Sequence, residues 1–353
     1  YKALGTVIDP DFKKDLVSLN MIKDLEVEGN KVSFTIELTT PACPLKDQLE
    51  SDSRNAIASM VSEDLEVEVT FTSRVTTLRN VKEDILPEVK NMIAVASGKG
   101  GVGKSTVAAN LALGLAKRGA KVGLLDADIH GPSLPTMLGV KDQKPGVEIV
   151  GDKHKIIPVE VDGLKVLSIG LLVDELQAVV WRGPMVSSAL RQFISDVIWG
   201  ELDYLIMDLP PGTGDVHLTM AQMAPITGAI IVTTPQEVAS ADARKAISMF
   251  RMESIDVPIL GIIENMSYFE PDELPGKKYY LFGKDGGKKL ANQFNIPFLG
   301  ELPLIPRIGE NADNGTLSTD IPDEVQKLVD NVARTVAIMN ARHPKSETAS
   351  ADT

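Results

Sequence analysis

The chain has 353 residues, of which 43% are hydrophobic and 24% charged, and its formal net charge is −13. That length suggests two or three domains, or one large domain with an appendage, and the apolar share supports a real core. The acidic balance argues against a nucleic-acid or anionic-membrane surface, the single cysteine excludes an intrachain disulfide or a four-cysteine zinc site, and no run of 18 apolar residues announces a membrane span.

Tyr1 to Thr6 do not read as a signal peptide, so a cytoplasmic location is the expectation. Residues 1–76 read as a small α+β domain. Asp9-Pro10-Asp11 reads as a helix start, with the helix over Phe12 to Leu19. Leu25 to Glu28 leads into the turn Gly29-Asn30. Beyond it, Val32, Phe34, Ile36 and Leu38 alternate with Ser33, Thr35, Glu37 and Thr39, as in a half-buried hairpin strand. Leu45 to Met60 is predicted helical and Leu65 to Phe71 an alternating strand. Cys43 stands before Pro44 at the expected helix start. A thiol there feels the positive helix end, which lowers its pKa and favours the thiolate that a metal or a sulfur-transfer reaction needs. The alternative reading is an inert, half-buried thiol, and both stand at this point.

Residues 77–91 carry Arg79, Lys82, Glu83, Asp84, Pro87 and Glu88 without clean periodicity and read as a linker to a domain over 92–341. Met92 to Ala96 is a buried strand. Ser97-Gly98-Lys99-Gly100-Gly101-Val102-Gly103-Lys104-Ser105-Thr106 fits G-x-x-x-x-G-K-[ST], and Val107 to Lys117 reads as a helix. Strand, glycine loop and helix in this order suit a polyphosphate. The glycines let backbone N–H groups turn inward, and the helix end adds about half a positive charge. Lys104 is expected to neutralise the β- and γ-phosphates of ATP and the Ser105 hydroxyl to hold Mg²⁺. The general pattern does not require Lys99. Its charge beside Lys104 and a helix N-terminus is unfavourable unless an anion sits there.

Lys121 to Leu125 is a second strand, ending in Asp126-Ala127-Asp128 and then Ile129-His130-Gly131-Pro132-Ser133. Carboxylates at that end of a strand lie on the ligand edge of a parallel α/β sheet. Residues 141–161 give no clear element, and Leu164 to Ile169 is a third strand. Trp181-Arg182-Gly183-Pro184 precedes a helix from about Val186 to Val197, with Arg182 reading sooner as a surface residue than as a phosphate contact. Tyr204 to Asp208 is an apolar strand, followed by Leu209-Pro210-Pro211-Gly212-Thr213-Gly214-Asp215. After a full P-loop, its closing Asp208 is the expected Mg²⁺-side carboxylate, and Gly212 offers an N–H to the γ-phosphate. Ala229 to Thr234 and Pro258 to Asn265 are strands around a helix over Ala239 to Arg251. Asn265 is either an amide contact for adenine or a plain strand-end residue. A polar loop over 267–283 precedes helices near Gly287 to Phe294 and from Asp323 to Met339, and the tail 342–353 reads as disordered. The alternation gives an α/β domain with a doubly covered, mainly parallel sheet.

The run Lys99 to Ser105 resembles the deviant P-loop of the MinD/ParA/ArsA/nitrogenase-iron-protein class. In that class the lysine at the position of Lys99 reaches across a homodimer to the partner's nucleotide. Four stretches together, Ile93 to Thr106, Leu125 to Ser133, Met207 to Asp215 and Glu264-Asn265-Met266-Ser267, are similar to the Mrp/ApbC iron–sulfur cluster carrier ATPases. Residues 1–76 resemble the MIP18-like domain that precedes the ATPase in many bacterial members. The resemblance implies a MinD/ParA-like fold behind a small α+β domain, and ATP hydrolysis by a homodimer. It implies delivery of an iron–sulfur cluster, of the 4Fe-4S type, to apo iron–sulfur proteins alongside assembly factors, with neither nucleic acid nor membrane as partner. By the same resemblance Lys104 and the loop from Gly98 to Thr106 bind phosphates, and Ser105, Asp208 and Asp126 serve Mg²⁺. Asp128 orients the attacking water and Lys99 acts across the dimer. One departure is serious. Where the family carries C-P-x-C, this chain reads Glu270-Pro271-Asp272-Glu273. Carboxylates suit an iron–sulfur cluster poorly, so the usual bridging site is expected to be absent, leaving Cys43 as the one thiolate ligand, two per dimer. The competing expectation is a ParA/MinD-like switch whose ATP dimer positions a partner protein without carrying a cluster.

Overall fold

The computed structural model describes residues 1–41, 43–75, 86–129, 131–172, 183–271, 273–319 and 321–342. Residues 77–85 of the expected linker over 77–91, His130, Trp181, Arg182, Asp272 and the tail from residue 343 lie outside the described residues. Two compact units divide the chain, Tyr1–Thr76 with Ala333–Thr353, and Thr77–Val332.

The first unit opens with a short 3-10 turn, Leu4–Thr6, and a two-residue hairpin, β1 (Ile8–Asp9) with β2 (Lys14–Asp15). No helix forms over Phe12 to Leu19. Instead the Asp9 carboxylate accepts the N–H groups of Asp11 and Phe12 at 2.8 and 3.1 Å, and Lys13 takes φ +52, so the residues read as a helix start close a turn. Then β3 (Ile22–Glu28), β4 (Lys31–Leu38), α1 (Lys46–Met60) and β5 (Glu66–Ser73) follow. β4 is central, antiparallel to β3 and parallel to β5. Its Val32, Phe34, Ile36 and Leu38 are buried and pack with Leu4, Leu16, Leu49 and Ile57, as the alternation requires.

The second unit is built on eight strands in the order β10-β11-β7-β12-β6-β13-β14-β15, all parallel except the edge strand β10. In chain order they are β6 (Val89–Ala96), α2 (Lys104–Lys117), β7 (Val122–Asp126), the short α3 (Leu134–Met137), a separate hairpin β8 (Gly146–Val150) with β9 (Lys153–Ile157), β10 (Val159–Val161) and β11 (Leu164–Ser168). Next come α4 (Ile169–Leu172), α5 (Gly183–Ser195), β12 (Leu202–Asp208), α6 (Asp215–Met223), β13 (Gly228–Thr233) and α7 (Glu237–Phe250). The series closes with β14 (Ile259–Glu264), α8 (Gly286–Phe294), β15 (Phe298–Glu301), α9 (Pro306–Asp313) and α10 (Asp323–Arg342), whose residues from Ala333 onward belong to the first unit. β6 begins three residues before the expected strand. Lys90 and Asn91 break the apolar run in sequence, yet both bond to Asp203, at 2.8 and 3.3 Å. In this unit α3, the β8–β9 hairpin, β10, α4, α6, β15 and α9 carry no expectation from sequence.

Both faces of the sheet are buried. Met92, Ala94 and Ala96 of β6 share one core with Phe193 of α5 and Ile247 and Phe250 of α7, while Ile93 and Val95 alternate to the other face, where α2 packs. The P-loop strand β6 lies between β12 and β13, so the chain leaves it by α2 and crosses β12 to reach β7. That crossing brings the C-terminal ends of β6, β7 and β12 side by side, which is where a doubly wound sheet binds its ligand.

Candidate functional site

α2 starts at Lys104, with Gly103 as the preceding cap in a left-handed conformation (φ +77). A side chain at Gly103 would also meet the Asn265 amide nitrogen at 2.2 Å, and one at Gly98 the Asp242 backbone carbonyl carbon at 2.1 Å. Gly98 is fixed by space, and Gly103 by space and handedness. The loop is braced at three points. The Ser97 hydroxyl donates to the Lys99 carbonyl at 2.9 Å, the Gly212 N–H to the Ser97 carbonyl at 2.9 Å, and Asn265 Nδ2 to the Val102 carbonyl at 2.9 Å. Asn265 thus holds the loop itself, and it also lines a cavity of about 200 Å³ beside Gly103 and Thr106, walled by Val107, Met266, Pro303 and Ile305. Lys99 is half-buried and its ammonium has no partner among the described residues.

Lys104 is buried at 6% exposure, and its ammonium is paired with the Asp208 carboxylate and lies 3.3 Å from the Ser105 hydroxyl. Asp208 Oδ2 is buried without a hydrogen-bond partner. Asp126 is the cross-strand neighbour of Asp208 in the β7–β12 register. Its Oδ1 accepts the Asp128 N–H at 3.1 Å and its Oδ2 the Ser168 hydroxyl at 3.0 Å. Burial, then the neighbouring Asp208 charge, push Asp126 up to about 8. Burial raises Asp208 as well, opposed by Lys104 and the Ser105 hydroxyl. The Lys104 ammonium is paired with Asp208 and not with Asp126, which leaves Asp126 the more readily protonated of the two. The structure therefore brings together Lys104, Ser105, Asp126, Asp128 and Asp208. Ser168 is an addition, legible only as the strand end in register with Asp126.

His217 is a second addition. It lies on α6, is 2% exposed, and its Nε2 is 2.8 Å from the Pro210 carbonyl in the loop that follows Asp208. Burial holds its pKa below the ordinary histidine value, so the ring is neutral and donates through Nε2.

Cys43 belongs to the first unit. α1 begins at Lys46, not at Pro44, so the thiol is three residues short of the helix and is half-buried against the core of that unit. Burial raises its pKa, outweighing the Leu45 backbone N–H, and the carboxylates of Asp9 and Asp11 raise it further. The expectation of an acidified thiol is corrected: desolvation beats the helix end. In the loop after Ser267, Glu270 caps its own turn, accepting the Gly276 N–H at 2.5 Å, and among the described residues no three His, Cys, Asp or Glu side chains form a metal-holding group. No described helix is long and apolar enough to cross a membrane.

Residues 88–337 match the family described as NUBPL iron-transfer P-loop NTPase, and residues 1–70 the family described as iron-sulfur cluster assembly protein. An iron-sulfur cluster carrier protein of Synechocystis is 48% identical over 88% of this chain and 88% of its own length. One of Deinococcus radiodurans is 50% identical over 89% of this chain and 86% of its own. The chloroplastic Fe-S cluster assembly factor HCF101 of Arabidopsis thaliana is 44% identical over 95% of this chain, which spans 61% of that protein. Among solved structures, a nucleotide-binding protein from Archaeoglobus fulgidus in complex with ADP superposes with a TM-score of 0.60 at 42% identity, covering 70% of this chain and 96% of the other. The cell division ATPase MinD of Pyrococcus furiosus shares the fold at a TM-score of 0.50 and 24% identity, covering 69% and 98%.

Proposed function

The chain belongs to the NUBPL iron-transfer P-loop NTPase family, and from that premise we propose that it is an ATP-hydrolysing carrier of iron–sulfur clusters that works as a homodimer. The observation that carries the ATPase reading is the convergence of the buried Lys104, Ser105, Asp208, Asp126 and Asp128 at adjacent strand ends beneath the glycine loop. ATP enters with its phosphates over the loop from Gly98 to Thr106 and its base beside Gly103 and Asn265. The incoming phosphates draw Lys104 off Asp208.

The donor set fits Mg²⁺. Ser105 and Asp208 offer hard oxygens, and Asp208 Oδ2 is an orphaned buried acceptor. Bound there, the ion supplies charge neutralisation at the β- and γ-phosphates. Asp126, behind Asp208 and expected from sequence to serve the ion as well, positions Asp128 through the backbone N–H it accepts. Asp128, half-buried at the site's mouth, orients the attacking water, and Lys99 of one subunit completes the site of the other. Supporting this is its unpaired ammonium in a loop that already has one lysine.

The cluster is cargo. Cys43 is the only thiol in the chain, so the cluster's ligands beyond two thiolates per dimer are non-cysteine groups, added thiols or groups of the recipient apoprotein. Lys104→Ala tests the ATPase reading. It should abolish hydrolysis and weaken ATP binding by about 1–3 kcal/mol, and an unchanged rate in that variant removes the site assignment.

A further inference from the structure

We propose that His217 is a positioning residue for the γ-phosphate-facing loop Leu209–Gly214, acting through its hydrogen bond to the Pro210 carbonyl. The inference rests on the ATPase reading above and deepens it. The loop follows directly from Asp208 and is tied to the P-loop strand by Leu209 N–H to the Val95 carbonyl at 3.1 Å and Gly212 N–H to the Ser97 carbonyl at 2.9 Å. Pro210 and Pro211 have no N–H and offer no further backbone donor between those two ties. The Pro210 carbonyl is turned inward, and His217 Nε2 meets it at 2.8 Å. The His217 backbone N–H meets the Gly214 carbonyl at 3.0 Å. One residue of α6 therefore fastens the loop at its first proline and at its last glycine.

Gly212 stands between those fastenings at φ +98, a conformation open to glycine. Its N–H is spent on Ser97 in this state. Serving a γ-phosphate requires it to leave that carbonyl while Asp208 stays in place. The His217–Pro210 bond keeps the loop's origin fixed while the glycine turns, which makes it a hinge pin between strand end and sensor. His217 Nδ1 is buried and has no hydrogen-bond partner. A buried orphan acceptor is costly, and a phenylalanine or leucine would fill the same space without it. The imidazole is worth keeping there for the donor at Nε2.

The side chains that separate a donor from a filler are at hand. Glutamine places an N–H donor near the position of Nε2, asparagine near that of Nδ1, and phenylalanine fills the volume with no donor. The test measures affinity for ADP and for a non-hydrolysable ATP analogue, each with Mg²⁺, and the steady-state ATPase rate, in wild type and in His217→Gln, His217→Asn and His217→Phe. ADP binding should stay within about twofold in all four. The preference for the triphosphate analogue and the ATPase rate should fall about three- to tenfold in the Asn and Phe variants, the worth of one hydrogen bond, and return in the Gln variant. Melting temperatures identify any variant that fails to fold, and if Phe does so the Asn–Gln pair carries the comparison. Equal selectivity in Asn and Gln, or a Phe variant indistinguishable from wild type, overturns the role of His217 and leaves the ATPase reading intact. A wild-type protein that neither binds nor hydrolyses ATP takes down both.

Discussion

A lysine buried to 6% exposure must be paired, and in the nucleotide-free protein Lys104 is paired with Asp208. That leaves Asp126, packed against Asp208, to keep its proton up to about pH 8. A pH dependence of stability follows. The unfolded chain releases this proton near pH 3.8, and the folded chain holds it to about 8. Between those values the folded state binds one proton more, so this group makes stability fall as pH rises, and the fall stops above about 8. Asp126→Asn removes the contribution. In nucleotide-free protein the variant should gain melting temperature relative to wild type from pH 5 to pH 8; a constant difference across that range would mean that Asp126 is ionised throughout. Asp128 calls for a different measurement. Asp128→Ala should slow hydrolysis yet retain ATP and accumulate a nucleotide-bound dimer on size exclusion, and a monomer with ordinary turnover excludes the water-orienting role. Lys104, Ser105, Asp126 and Asp208 were legible because each sits at a fixed offset from a strand end. His217 and Ser168 were not, because each acts through a tertiary hydrogen bond that no local spacing encodes.

At the scale of elements, the glycine loop is held by neighbours remote in sequence, Asn265 after β14 and Gly212 after β12. Gly103→Ala combines a left-handed φ with a clash at Asn265. It should destabilise the protein by about 1–3 kcal/mol and loosen the loop, read as a lower melting temperature and weaker ADP binding; unchanged ADP affinity would show that the brace is dispensable. β7, β12, β13 and β14 of the parallel sheet were legible as apolar runs ending in Asp, Thr or Asn, and β15 was not. α6 was not, because its start, Gly214-Asp215, continues a glycine-rich motif that reads as loop. The Asp9-Pro10-Asp11 start misled for the opposite reason. Its capping carboxylate closes an isolated turn, and Lys13 in the left-handed region turns the chain out of a helix despite the apolar Phe12, Leu16 and Leu19. Cys43 failed on distance, since Pro44 and Leu45 separate the thiol from α1 and burial then decides its acidity. Alkylation by iodoacetamide should titrate above a free thiol's value of about 8.5, and a midpoint below 8 would restore the acidified thiol.

At the scale of the whole molecule, the proposed function joins an ATPase to cluster cargo for which the chain offers a single thiol. Two measurements address the two halves. Lys99→Ala should bind ATP but lose turnover, by on the order of 10³ or more if its charge acts as an inserted cation. Mixed with a Lys104→Ala chain, it should recover partial activity, because one composite site of the mixed dimer is intact; no recovery in demonstrated mixed dimers would place Lys99 in its own subunit's site. The cargo half is the central claim, and it is tested most directly by iron and sulfide analysis after anaerobic reconstitution of wild type and Cys43→Ser, with and without added glutathione. The account predicts labile cluster binding by wild type, strengthened by glutathione and lost in Cys43→Ser while ATPase activity persists. Iron content that is absent from wild type under every condition, or unaffected by the substitution, would contradict it and leave an ATP-driven dimer that positions a partner protein.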